Sequence, residues 1–127
     1  MIRKAAIISI SGNSLTRQEI NIFKREKPWG VILFKRNILA EKQLKKLTNS
    51  IKKIMKDKKY PILIDEEGGT VTRLSNFLNN STYCQKFFGD IYKVDKKIGL
   101  KIYKRYIDSI SSYLKKLGIN INTSPVL

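Results

Sequence analysis

Three short apolar runs constrain this chain more than any other feature. Residues 5–10, 30–34 and 60–64 are near-continuous in apolar side chains instead of alternating with polar ones. Strands buried on both faces read this way, and they belong to parallel sheets covered by helices. A shorter run follows at 118–121. The segments between carry helical spacing. Thr16 and Glu19 form a T-x-x-E capping box, and Leu15 and Ile20 take the flanking staple positions, so a helix is predicted to start at Arg17 and end before Pro28. Leu44, Leu47, Ile51 and Ile54 predict a second helix over 41–55. A third, over 91–117, places Val94, Ile98, Ile102, Tyr106, Ile110, Tyr113 and Leu117 on one side and mostly Lys or Arg on the other. The order is strand, helix, strand, helix, strand, loop, helix, strand, a run of βαβ units and hence an α/β fold. No linker divides residues 1–127, which read as one domain; strand order is not legible.

The net charge of +16 and a pI near 10.1 raise the possibility of an anionic partner. The lysines, however, recur on the polar sides of the predicted helices, as Lys45, Lys46, Lys52, Lys53 and Lys56 do, which is the pattern of solvated faces. A small basic nucleic-acid-binding protein is the alternative reading, with Trp29, Phe34, Tyr60, Phe87, Phe88, Tyr103, Tyr106 and Tyr113 available to stack bases. Their place within apolar strands and helix stripes assigns them to the core instead, and nucleic acid is not the expected partner. Cys84 is the single cysteine, so no intrachain disulfide forms and a cytoplasmic location is the default. The apolar stretch after Met1 is shorter than a signal core and reads as a strand. Nothing approaches the roughly 18 to 20 apolar residues that span a bilayer.

The segment Ile62-Leu63-Ile64-Asp65-Glu66-Glu67-Gly68-Gly69 breaks from an apolar run into three carboxylates and two glycines. Parallel α/β sheets place ligands beyond the carboxyl ends of their strands, so this corner is the candidate binding site. The following loop, 66–83, is long for a compact domain, and loops of that length are usually functional. A metal site at Asp65, Glu66 and Glu67 is disfavoured, because alternate residues of an extended segment face opposite ways and only Asp65 and Glu67 converge. No G-x-G-x-x-G follows the first strand, and the phosphate-cradle spacing is missing. No cofactor and no metal are expected.

Three ordered motifs resemble one family. Gly30-Val31-Ile32-Leu33-Phe34-Lys35-Arg36-Asn37 is similar to the G-x-I-L-F-x-R-N strand end of family 3 glycoside hydrolases. Asp65-Glu66-Glu67-Gly68-Gly69-Thr70-Val71-Thr72-Arg73 resembles their D-Q-E-G-G-x-V-x-R segment. Gly118-Ile119-Asn120-Ile121-Asn122-Thr123-Ser124-Pro125-Val126 is similar to G-I-x-x-N-x-A-P-V. Within the family the arrangement looks most like the bacterial cytoplasmic β-N-acetylhexosaminidases of peptidoglycan recycling. The resemblance implies a partial TIM (β/α)8 barrel, three βα units and a fourth strand of a fold that needs eight units and about 250 residues. It thus implies a single incomplete domain, which would associate through open barrel edges or with a complementing chain.

The resemblance also implies a retaining hydrolysis of terminal β-linked N-acetylhexosamine. The aspartate nucleophile and the histidine-aspartate acid/base pair lie later in the family sequence than Leu127, and this chain has no histidine. No catalytic residue is therefore expected here. Carried over are two substrate-binding residues: Asp65, accepting hydroxyl hydrogen bonds from a terminal sugar, and Arg73, reaching the same sugar. The implied partner is an N-acetylglucosamine-containing glycan or muropeptide, with no membrane. Structural roles remain open for each residue: Asp65 as a helix cap or loop ion pair, Arg73 paired with an acid such as Glu67, and Arg36 with Asn37 organising their own loop. Glu66, Thr70 and Thr72 stand where the family often has Gln, Arg and Gln.

Overall fold

The computed structural model describes residues 2–124. Four parallel strands, β1 (Lys4–Ile8), β2 (Pro28–Leu33), β3 (Ile62–Ile64) and β4 (Ile121–Asn122), lie side by side in sequence order. Helices make every crossover: α1 (Arg17–Glu26), α2 (Glu41–Ile54), and then the pair α3 (Gln85–Val94) and α4 (Lys96–Lys116). In β2 and β3 the register pairs Val31 with Ile62 and Leu33 with Ile64. These apolar positions are the centre of the core.

The capping box forms as the sequence predicts. Thr16 Oγ1 accepts from the Glu19 N–H at 3.2 Å, and Glu19 returns the bond to the Thr16 N–H at 2.8 Å. In α2, Leu44, Leu47 and Ile51 are buried, each side chain contributing about 1.5–3 kcal/mol of hydrophobic stabilisation. Phe23 of α1 meets Tyr60 edge to face, with ring centroids 6.5 Å apart. β4 is only two residues long, and asparagines extend its pairing: Asn120 Oδ1 accepts from the Ile62 N–H at 2.8 Å, and its amide donates to the Tyr60 carbonyl at 3.1 Å.

Several expectations need correction. The helix expected over 91–117 is two helices. Asp95 leaves helical geometry with φ −147° and ψ 109° and N-caps α4 by accepting from the Ile98 N–H at 2.9 Å. The stripe predicted on that helix is accordingly buried only in its second half. Ile110 and Leu117 are in the core, while Val94, Ile98 and Ile102 are exposed. Nor is β1 buried on both faces: among the described residues it is an edge strand paired only with β2, and its first four residues are exposed. Among the aromatics assigned to the core, Trp29 is 41% exposed. The predicted fourth strand at 118–121 begins later, because Gly118 takes a left-handed turn with φ 84°. Pro125 and Val126 of the third motif, with Leu127, lie outside the described residues.

Candidate functional site

β3 ends at Ile64 against β4, so the next residue, Asp65, emerges at the carboxyl edge of the sheet. One carboxylate oxygen accepts from the Thr123 hydroxyl, which follows β4. The other faces Nη2 of Arg73 at 3.4 Å. Both side chains keep part of their surface open, 21% for Asp65 and 27% for Arg73. A carboxylate with acceptor capacity beside a fan of donors suits a polyhydroxylated ligand, whose hydroxyls both donate and accept.

Arg73 reaches this place because the loop after β3 doubles back. The Glu67 N–H donates to the Val71 carbonyl at 2.9 Å and the Val71 N–H to the Gly68 carbonyl at 3.3 Å. Gly68 has φ 80°, and a Cβ there would lie 2.3 Å from the Tyr83 carbonyl oxygen, so the turn requires glycine. At the far end, the Arg73 guanidinium stands 5.9 Å from the Phe34 ring centroid, while Arg36 covers the same ring at 4.8 Å. Arg73 Nε is buried without a hydrogen-bond partner among the described residues. Beneath the loop, burial pushes the Tyr106 phenol up, and its oxygen accepts from the Asn80 amide at 2.7 Å.

Asp65 and Arg73 are thus brought together, and Arg73 has Asp65 as an ion-pair partner. Arg36 and Asn37 organise the loop after β2. Arg36 Nε donates to the Ile10 carbonyl at 3.1 Å, and the fully buried Asn37 donates to the Ile10 and Gly12 carbonyls at 3.1 and 2.8 Å while accepting from the Phe34 N–H at 2.8 Å. Sequence reasoning missed the contributions of Thr123, which holds Asp65, and of Phe34. Neither carries a local signal, since both depend on which strands become neighbours. A groove of about 600 Å³ lies elsewhere, between α1 and α2, and neither Asp65 nor Arg73 lines it. Its walls mix apolar Leu15, Ile20 and Leu47 with polar Asn13, Gln43 and Lys53, and no carboxylate is among them.

No protein-family model matches the chain. It is 27% identical over 121 residues to the beta-hexosaminidase of Stenotrophomonas maltophilia strain K279a and 26% identical to that of Xanthomonas campestris pv. campestris strain B100. Each alignment covers 95% of this chain and 36% of the relative, so the chain spans about a third of the length of these curated relatives. Among solved structures, NagZ from Neisseria gonorrhoeae in complex with N-trifluoroacetyl-D-glucosamine superposes with a TM-score of 0.86 at 26% identity, covering 97% of this chain and 36% of NagZ. A glycoside hydrolase family 3 beta-N-acetylglucosaminidase from Paenibacillus superposes at 0.66 with 23% identity, covering 94% of this chain and 22% of the enzyme, a likeness of fold. These relatives do not favour the nucleic-acid reading. Among the described residues, no helix is long and apolar enough to cross a membrane.

Proposed function

We propose that this chain, which corresponds to part of the N-terminal domain of family 3 glycoside hydrolases, supplies the sugar-gripping sector of a β-N-acetylhexosaminidase. The observation that carries the reading is the Asp65–Arg73 pair, 3.4 Å apart and partly open, at the carboxyl end of a parallel sheet. Asp65 accepts hydrogen bonds from hydroxyls of a terminal N-acetylhexosamine, and Arg73 donates to the same sugar. The substrate is a β-linked glycan or muropeptide met in the cytoplasm, in peptidoglycan recycling.

The sheet is read as a sector of a TIM barrel, three βα units and a fourth strand, making residues 1–127 one incomplete domain. Strands adjacent in sequence order throughout support this, since doubly wound sheets reverse direction at a switch point. The exposed β1 edge supports it too, as the place where a further strand, from the same or a complementing chain, would pair. In the family this chain resembles, retaining hydrolysis uses an aspartate nucleophile and a histidine-aspartate acid/base pair outside the matched motifs, and this chain has no histidine. The chain by itself is therefore expected to leave an aryl N-acetylglucosaminide intact.

Titrating the ¹⁵N-labelled chain with N-acetylglucosamine tests the reading. Shifts centred on Asp65, Arg73 and Thr123, absent with an unrelated polyol, are expected. Saturating sugar that leaves these signals in place would defeat it.

A further inference from the structure

Glu66 is 1% exposed, an unusual place for a carboxylate. Its Oε2 accepts from the Arg73 N–H at 2.8 Å and from the Leu74 N–H at 3.1 Å. Its Oε1 accepts from the Asn80 amide at 3.1 Å. The backbone of the same residue is held on both sides by Asn122: Oδ1 accepts from the Glu66 N–H and the amide donates to the Glu66 carbonyl, both at 2.9 Å. Leu74, next to the arginine, is fully buried and pins the other end.

From these contacts we infer that Glu66 is the positioning residue that sets Arg73 against Asp65. The inference rests on the reading of that pair as a sugar site. Between Asp65 and Arg73 the chain passes through two glycines with positive φ, at 80° and 65°, which give it freedom to place the arginine elsewhere. Two backbone N–H groups converging on one oxygen remove that freedom. An acceptor-only oxygen answers both donors at once, and burial strengthens each bond. Because Asn122 anchors Glu66 to β4, and Asp65 is the residue before it, one rigid block carries the Asp65 carboxylate and fixes the Arg73 backbone. The distance between them is then a property of the sheet, not of the loop.

The role makes a distinction that general stabilisation does not. In E66Q the oxygen facing the Arg73 and Leu74 N–H groups is retained, and turning over the Asn80 amide presents its oxygen both to the new side-chain NH₂ and to the Tyr106 hydroxyl, which changes from acceptor to donor. In E66L the shape is similar and both acceptors are lost. Affinity of the chain for N-acetylglucosamine is measured by NMR titration at a temperature where circular dichroism shows each variant fully folded. E66Q is expected within about twofold of the unaltered chain and E66L weaker by about tenfold or more, the cost of a misplaced ligand group.

Amide hydrogen exchange in the unaltered chain supplies a second measurement that needs no variant. The Arg73 and Leu74 amides are expected to be protected well beyond the exposed Thr70 amide. Equal affinity in folded E66L overturns the inference, as do Arg73 and Leu74 amides exchanging like Thr70, or a tenfold loss in E66Q with those amides still protected. If E66L does not fold, E66Q and the exchange rates decide. If the sugar shifts no signal at Asp65 or Arg73 in the unaltered chain, the sugar reading fails, and the exchange rates still decide whether Glu66 holds Arg73.

Discussion

The Thr48 hydroxyl, buried in the middle of α2, donates to the Leu117 carbonyl at the end of α4 at 2.8 Å, joining positions 69 residues apart. The chain can turn away from this contact toward β4 only because the next residue is glycine. Gly118 has φ 84°, and a Cβ there would lie 2.5 Å from Thr48 Oγ1. Gly118→Ala combines a left-handed backbone with a clash, and the expected loss of unfolding free energy is about 2 kcal/mol or more. Urea titration checks it; a midpoint and slope equal to those of the unaltered chain would contradict the packing described.

How far the sequence discloses such contacts depends on their range. The capping box at Thr16 and Glu19 is written within four adjacent residues, and α1 starts where it predicts. The corner at Asp65 is equally local, since an apolar run ending in acids and glycines marks a strand end. The break at Asp95 was missed because a single aspartate inside a long apolar period is an ordinary helix residue until a second helix folds back. Thr123 is a plainer case. Its value lies in β4 pairing with β3, and nothing in the residues around it states that partner. The exposure of β1 is similar, for an apolar strand reads as buried whether or not a neighbour covers it.

At the site itself, Asp65→Ala removes an acceptor from the sugar and the partner from Arg73. The expected loss of N-acetylglucosamine affinity is about 1–3 kcal/mol, the usual range for a hydrogen bond to a charged group. Because the two side chains touch, Asp65→Ala and Arg73→Ala should be non-additive, the double variant losing less than the sum. A double-mutant cycle by NMR titration measures this. Strict additivity would mean that the pair does not act on one ligand.

Gly99 decides whether α3 and α4 can cross. A Cβ at this position would lie 2.6 Å from the Tyr92 Cα, a backbone atom that cannot step aside. In an isolated helix Gly→Ala is worth about 1 kcal/mol of stabilisation. Here the sign should reverse, with Gly99→Ala lowering the melting temperature and separating the two helices. Gly89, half-buried but with nothing within 4 Å of an added Cβ, is the control and should gain stability. A Gly99→Ala chain that melts higher than the parent would show that the crossing is not close.

Tyr60 gives the fold an alkaline limit. Its ring is fully buried and its hydroxyl donates to the Pro28 carbonyl at 2.9 Å. Burial pushes the phenol up to about 12, against a smaller opposing pull from Arg3, whose guanidinium lies 5.1 Å from the ring centroid and pairs with Asp57. The folded-state value therefore exceeds the unfolded one. The neutral phenol contributes fully below the ordinary tyrosine value of 10, and its contribution disappears as pH rises through about 12. Tyr60→Phe should cost about 1 kcal/mol at pH 7, where the Pro28 carbonyl loses its donor. It should also flatten the fall in melting temperature above pH 10, since no proton remains to be lost from this position. Thermal denaturation of both chains from neutral to alkaline pH reads both effects, and alkaline limbs of equal slope would mean that the Tyr60 hydroxyl is not shielded from water.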